Sequence, residues 1–233
     1  MRVRQAVSVL LDGPRSILRP EKAQDLALTL RSNLEKATVA RVSVAPAGGV
    51  MVKKQEHRVK LDAKGGAELV VPLAATHAGY AALDVAVTAG KEKVETKTKR
   101  IDLLAVMPGG MGGAVGEDHA FVCAGGLMLW VHLKNGETSV FHRLRGVERT
   151  RRLNIHGPRL GPPFAWDEFF EEKCEASVEQ NGHELALRLR TRSILRPGVT
   201  LDRRIVMGQG PIVRVVDTVV NGSRRVYELS LQQ

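Results

Sequence analysis

Apolar residues recur at every second position along most of the first hundred residues. Such a period admits a chain of β-strands, each with one face buried, and excludes a helical domain. The sets are Leu26/Leu28/Leu30, Val42/Val44, Val50/Val52, Val59/Leu61, Leu69/Val71/Leu73 and Leu83/Val85/Val87, and residues 3–11 read as a further strand. Turn residues interrupt them at Arg19-Pro20, Ser32-Asn33, Pro46 to Gly49, Lys64-Gly65-Gly66, His77 to Gly79 and Ala89-Gly90. About seven short strands in one hundred residues is the spacing of a β-sandwich. The following stretch, Lys91 to Arg100, alternates charges instead of apolar residues. It reads as an edge strand that its lysines protect from sheet-to-sheet association, with a polyanion-binding stripe as the alternative.

Residues Met107 to Gly116 hold five glycines in ten positions and carry no periodicity, the composition of a linker or surface loop. The expected organisation is therefore a sandwich over 1–105, a Gly-rich linker over 106–116 and a second antiparallel β-sandwich over 117–233. In the second region Asn135-Gly136 and Asn181-Gly182 each stand between β-patterned runs and predict two tight hairpin turns. A third pairing is expected between Val199–Met207 and Ile212–Val220, and a last strand over Val226–Leu231. One segment has a helical period: Trp166, Phe169, Phe170 and Cys174 share one side, and Asp167, Glu168, Glu171 and Glu172 the other. Pro162-Pro163 ahead of it and carboxylates in its first turn are helix-start signals, for one or two turns or a bulged loop of similar pattern. The hexapeptide Arg-Ser-Ile-Leu-Arg-Pro occurs at 15–20 and again at 192–197 without similarity around it, which favours a shared local role or chance over domain duplication.

The formal charge of +10 is concentrated in the first region, where eighteen Lys and Arg face eleven Asp and Glu against seventeen and fourteen beyond residue 105. A basic surface attracts polyanions, but aromatic residues make up 4% of the chain, so platforms for stacking bases are lacking and nucleic acid is not the expected partner. No stretch has the roughly 18 consecutive apolar residues of a membrane-spanning helix. Two cysteines, Cys123 and Cys174, allow at most one disulfide and leave the redox compartment open.

No catalytic motif emerges. There is no Gly-x-Ser-x-Gly elbow and no phosphate-binding loop, and His119, His132, His142 and His156 lie ten or more residues apart, without the short spacing of zinc ligands. No metal and no cofactor are expected. The acidic cluster Asp167, Glu168, Glu171 and Glu172 could in principle serve acid–base chemistry, although acidic residues on one helical face are ordinarily just solvated. The long loop Asn154 to Trp166 gathers His156, Arg159 and Trp166 with glycines and prolines. Such residues form a rigid surface for a sugar ring, aromatic face against C–H groups and Arg or His to its hydroxyls; the plainer account is that Phe164 and Trp166 tuck the loop onto the core. The candidate ligand-binding residues are thus His156, Arg159, Trp166, Asp167, Glu168 and Glu171.

The first region resembles the immunoglobulin-like accessory domains of secreted and cell-envelope proteins of bacteria and archaea. The resemblance is carried by Leu18-Arg19-Pro20, Leu26 to Asn33, Val42-Ser43-Val44-Ala45-Pro46, Val59-Lys60-Leu61 and Gly65 to Leu73. It implies a non-catalytic spacer or binding module. The second region resembles the front of a galactose-mutarotase-like supersandwich, through Gly126 to Leu129, Leu160 to Phe164, Pro197 to Ile205 and Val216 to Asn221. That resemblance implies a carbohydrate-associated domain, either a smaller closed sandwich or an incomplete part of a larger one. Together they lead to the expectation of an all-β, non-catalytic pair of modules from a larger extracellular or cell-envelope protein, a cytoplasmic location staying open. Its expected partners are carbohydrate and other domains or subunits. The alternatives are a sugar-processing enzyme using the acidic cluster near Trp166, and polyanion binding by the basic first region.

Overall fold

The computed structural model describes residues 6–11, 17–89, 94–95, 98–107, 110–143, 150–155, 159–161, 168–169, 173–227 and 230–232. Among these there is no helix. The chain divides into two compact units, Met1–Met107 and Pro108–Gln233.

In the first unit β1 (Val7–Leu10), β3 (Ala23–Ser32), β7 (Gly66–Ala75) and β5 (Val50–Val52) form one sheet in the order β1-β3-β7-β5. The second sheet runs β2 (Ile17–Leu18), β10 (Lys99–Ala105), β8 (Gly79–Ala89), β4 (Thr38–Gly48), β6 (Glu56–Leu61), with the short β9 (Val94–Glu95) also on β8. Among the described residues the strand pairings in this unit are antiparallel except β2 with β10, and an isolated parallel bridge joins Pro20 to Ala75. The alternating residues meet in one core between the sheets, where Leu28, Leu30, Val42, Val44, Val71 and Leu83 are wholly buried. Each such side chain contributes roughly 1.5–3 kcal/mol by leaving water, which is why the period-two pattern dictates this half of the fold. The unit is an immunoglobulin-like β-sandwich.

Its last strand departs from the expectation of a charged edge. Residues 99–105 pair with β8, Leu104 and Ala105 pair with β2 as well, and Ile101 through Ala105 are buried. The apolar run Ile101-Asp102-Leu103-Leu104-Ala105 outweighs the charged stretch before it; of the latter, Val94–Glu95 pairs with β8, while 90–93 and 96–97 lie outside the described residues.

The second unit packs a five-stranded sheet against a four-stranded one. The first is β11 (Gly112–Val115), β12 (His119–Ala124), β13 (Leu127–His132), β14 (Thr138–Arg143), β15 (Thr150–Ile155); the other is β17 (Glu175–Asn181), β18 (Glu184–Arg192), β19 (Val199–Met207), β20 (Val213–Asn221). Both run in sequence order with antiparallel neighbours. Ala120, Val122, Leu129, Val131, Leu187, Leu189 and Ile205 fill the space between them. A smaller cluster of Leu160, Phe169, Val199 and Leu201 lies beside β16 (Arg159–Gly161), which pairs with β21 (Ser230–Gln232). The last strand thus begins later than expected.

The glycine-rich stretch expected as a linker contains β11, paired with β12. At Gly113 glycine serves close packing: a Cβ there would lie 2.5 Å from Val178 Cγ1 and 2.9 Å from Val122 Cγ1. The hairpins form with altered turns. Asn181 pairs with Glu184 as part of the ladder, so the loop is Gly182-His183 with φ +57° at the glycine, a positive first position as in a type II′ turn. Between β13 and β14 the connection is longer and only Gly136, not Asn135, is left-handed. An unanticipated hairpin turns at Gly125-Gly126, both with positive φ, as a type I′ turn requires. The expected helix falls mostly outside the described residues; Glu168–Phe169 form a turn.

Candidate functional site

Strand β18 reads Leu187-Arg188-Leu189-Arg190-Thr191-Arg192, and its alternation buries Leu187, Leu189 and Thr191 while Arg188, Arg190 and Arg192 project from the outer face of the sheet. Register places Glu175 and Asp202 on either side of Arg190, and Thr200 opposite Arg192. The three arginines have different fates. Arg188 grips Asp202 diagonally, with Nε 2.9 and 3.0 Å from the two carboxylate oxygens and Nη2 in close contact. The guanidinium beside it holds the Asp202 carboxyl below the usual carboxylate range. Arg190 and Arg192 have no ion-pair partner among the described residues.

Those two arginines, with Lys173, Glu175, Thr191 and Thr200, line a cavity of about 270 Å³. Among its described lining residues three cations face one carboxylate, a net positive charge. Thr191 Oγ1 donates to the Phe169 carbonyl and is committed to the fold; Thr200 is half-buried and Glu175 exposed. Guanidinium forks pair bidentately with a carboxylate or sulfate, and Glu175 can accept from a hydroxyl.

Beneath the end of β18 lies Glu168, 1% exposed. Its Oε1 pairs with the Arg196 guanidinium and accepts from Ser193 Oγ at 2.5 Å, while its carbonyl accepts from Ile194 N at 2.9 Å. Ser193 Oγ also accepts from Arg196 N at 2.8 Å, closing the loop onto itself. The expectation of a solvated face fails for Glu168 because a buried counter-ion was waiting for it. This carboxylate ties a loop to the core. Neighbouring Cys174 is buried and its thiol pushed up to about 11, principally by desolvation; it and Cys123 are free thiols.

Of the other expected residues, His156, Trp166, Asp167 and Glu171 lie outside the described residues, and Arg159 is placed by its backbone alone, in β16 opposite Gln232. Arg190, Arg192, Lys173 and Thr200 were not anticipated. The signal was present as Arg-Leu-Arg-Thr-Arg, cations at every second position between buried residues, but a charge count by region assigned the basic character to the first unit. Among the described residues no three His, Cys, Asp or Glu form a metal-binding group, and no helix is long and apolar enough to cross a membrane.

No family model matches this chain, and no curated protein matches it. Solved structures similar to it include the Salmonella enterica SafA pilin in complex with the SafB chaperone, 12% identical over 94% of this chain and 99% of that one, with a TM-score of 0.36. The D0-D1 domain of intimin is 9% identical over 88% and 93%, at 0.34. WR4, an MSP family member of C. elegans, is 12% identical over 44% and 100%, at 0.32. The fold and strand pairing define this protein as an all-β chain of an immunoglobulin-like sandwich and a second antiparallel sandwich.

Proposed function

We propose that this chain is a non-catalytic pair of binding and positioning modules of a larger extracellular or cell-envelope protein, and that its second sandwich takes an acidic carbohydrate on the outer face of β17–β20. The observation that carries this is the pair Arg190 and Arg192, two residues apart on one strand, without ion-pair partners among the described residues and opening on the same cavity as Lys173. A sugar carboxylate or sulfate satisfies the guanidinium groups, and Thr200 and Glu175 are suited to ring hydroxyls. The resemblance of this unit to a mutarotase-like supersandwich points towards the same ligand class.

The test is calorimetry with a uronate- or sulfate-bearing polysaccharide, polygalacturonate or heparin, beside a neutral one such as dextran. The acidic polymers should bind with affinity that falls steeply as salt rises, and an Arg190→Gln/Arg192→Gln protein should lose that binding while unfolding at the same temperature. Equal binding of dextran, or full binding by the double variant, would overturn the proposal.

A further inference from the structure

The histidines that sequence spacing kept apart are brought together by strand register. His119 on β12 stands directly opposite His132 on β13. The neighbouring pair carries the ladder bond, Leu133 N to Asp118 O at 2.8 Å, so His119 and His132 occupy a non-hydrogen-bonded position. There facing Cα atoms are only about 4.5 Å apart and side chains come closest. The two imidazole centroids lie 4.8 Å apart with planes at 74°. Trp130 also stacks on His119, at 4.7 Å and 20°, limiting its rotation. Both histidines are half-buried, neither sealed in the core nor loose in solvent.

We propose that His119 and His132 form a cross-strand chelate for a borderline divalent first-row cation such as Cu²⁺, Ni²⁺ or Zn²⁺. Imidazole is the ligand such ions prefer, and two nitrogens on a rigid sheet coordinate with little loss of side-chain freedom. Water completes the coordination, since among the described residues no third His, Cys, Asp or Glu joins the pair in a metal-binding group. The His132 Nδ1 contact from Lys134 N is long, 3.3 Å. Shifting the ring proton to Nδ1 therefore forfeits little and frees Nε2 for a cation. This site stands on residues apart from the arginine cavity and does not depend on it.

The stacking of Trp130 on His119 supplies the readout, because Cu²⁺ quenches a nearby indole. Titrating Cu²⁺ into the full chain at pH 7 should quench emission saturably with one equivalent and raise the unfolding temperature. His119→Gln and His132→Gln should each weaken binding by about tenfold or more, as loss of one arm of a two-point chelate demands, whereas His57→Gln and His183→Gln should leave it unchanged. Trp130→Phe should retain calorimetric binding and lose most of the quenching. On the unsubstituted protein, substoichiometric Cu²⁺ should broaden the ring resonances of His119 and His132 before those of other histidines, a result independent of variant folding. Binding unaffected by either substitution, or broadening that begins at another histidine, would overturn the assignment.

Discussion

Arg203 on β19 and Asp217 on β20 face each other in register, and the guanidinium holds the carboxylate through Nε at 2.7 Å and Nη2 at 2.8 Å although Arg203 is 1% exposed. The pair lies on the inner face of β19, between Ile205 and Met207 in the larger core cluster and Val199 and Leu201 in the smaller one. An ionic contact thus divides the interior of the second sandwich along a single strand.

Removing one partner should be far worse than removing both. Asp217→Ala removes the carboxylate that two bonds hold to a buried guanidinium and should cost about 3–5 kcal/mol in urea unfolding. The double substitution Arg203→Met/Asp217→Leu removes the desolvation problem along with the attraction. It should recover most of that loss, and a double variant as unstable as Asp217→Ala would show that the pair is needed for more than mutual neutralisation.

The Glu168 contact makes a related prediction about the loop that follows β18. Glu168→Gln keeps the shape and a hydrogen-bond acceptor but removes the charge that pairs with Arg196, also buried, for a loss of about 2 kcal/mol. Hydrogen exchange should quicken at Ile194, whose N–H bonds to the Glu168 carbonyl, while β12 and β13 stay protected. An activity lost in Glu168→Gln would therefore report on folding, and Glu171→Gln is the substitution that tests sugar-processing chemistry.

Gly125 and Gly126 share one turn but should differ sharply on substitution. At Gly125 a Cβ would lie 2.2 Å from the Gln209 carbonyl oxygen as well as at φ +56°, whereas at Gly126, φ +83°, nothing stands within 4 Å. Gly126→Ala should cost about 1 kcal/mol, the strain of a left-handed alanine. Gly125→Ala should cost at least about 1 kcal/mol more, since backbone must move, as a comparison of unfolding midpoints would reveal; equal losses would mean that the β19–β20 turn yields freely.

The strands of the first sandwich were legible because Leu26, Leu28 and Leu30, and their counterparts, repeat the buried face at a period no helix shares. Strand β10 was misread because its charged approach, Lys91 to Lys97, was weighed above the apolar residues that follow. The repeated hexapeptide shows why local sequence stops short of structure: Leu18 of the first copy is 3% exposed in β2, while Leu195 of the second is 44% exposed in a loop that Glu168 anchors. Partners distant in sequence set each outcome. The same holds for the sites, since His119 and His132 meet only through register, and Arg190 and Arg192 become a feature only when Asp202 is seen to have taken Arg188.

The first sandwich carries its own surface ion pair, and its pH response follows from geometry. Arg100 and Asp84 are direct cross-strand partners on β10 and β8, joined by two bonds of 2.9 Å. The hydrogen bond from Arg100 holds the Asp84 carboxyl below its ordinary value of about 3.8. Between 3.8 and that lowered value the unfolded chain takes up a proton that the folded chain refuses. The stability contributed by the pair is therefore complete above the ordinary value and lost as pH falls through the lowered one. Both side chains are about one-third exposed, so Arg100→Ala should cost only about 0.2–1 kcal/mol at pH 7, and less in concentrated salt. At pH 2 the gap between wild type and variant should narrow. A gap equally wide at pH 7 and pH 2 would mean that Arg100 stabilises the sheet through the packing of its alkyl chain instead of its charge.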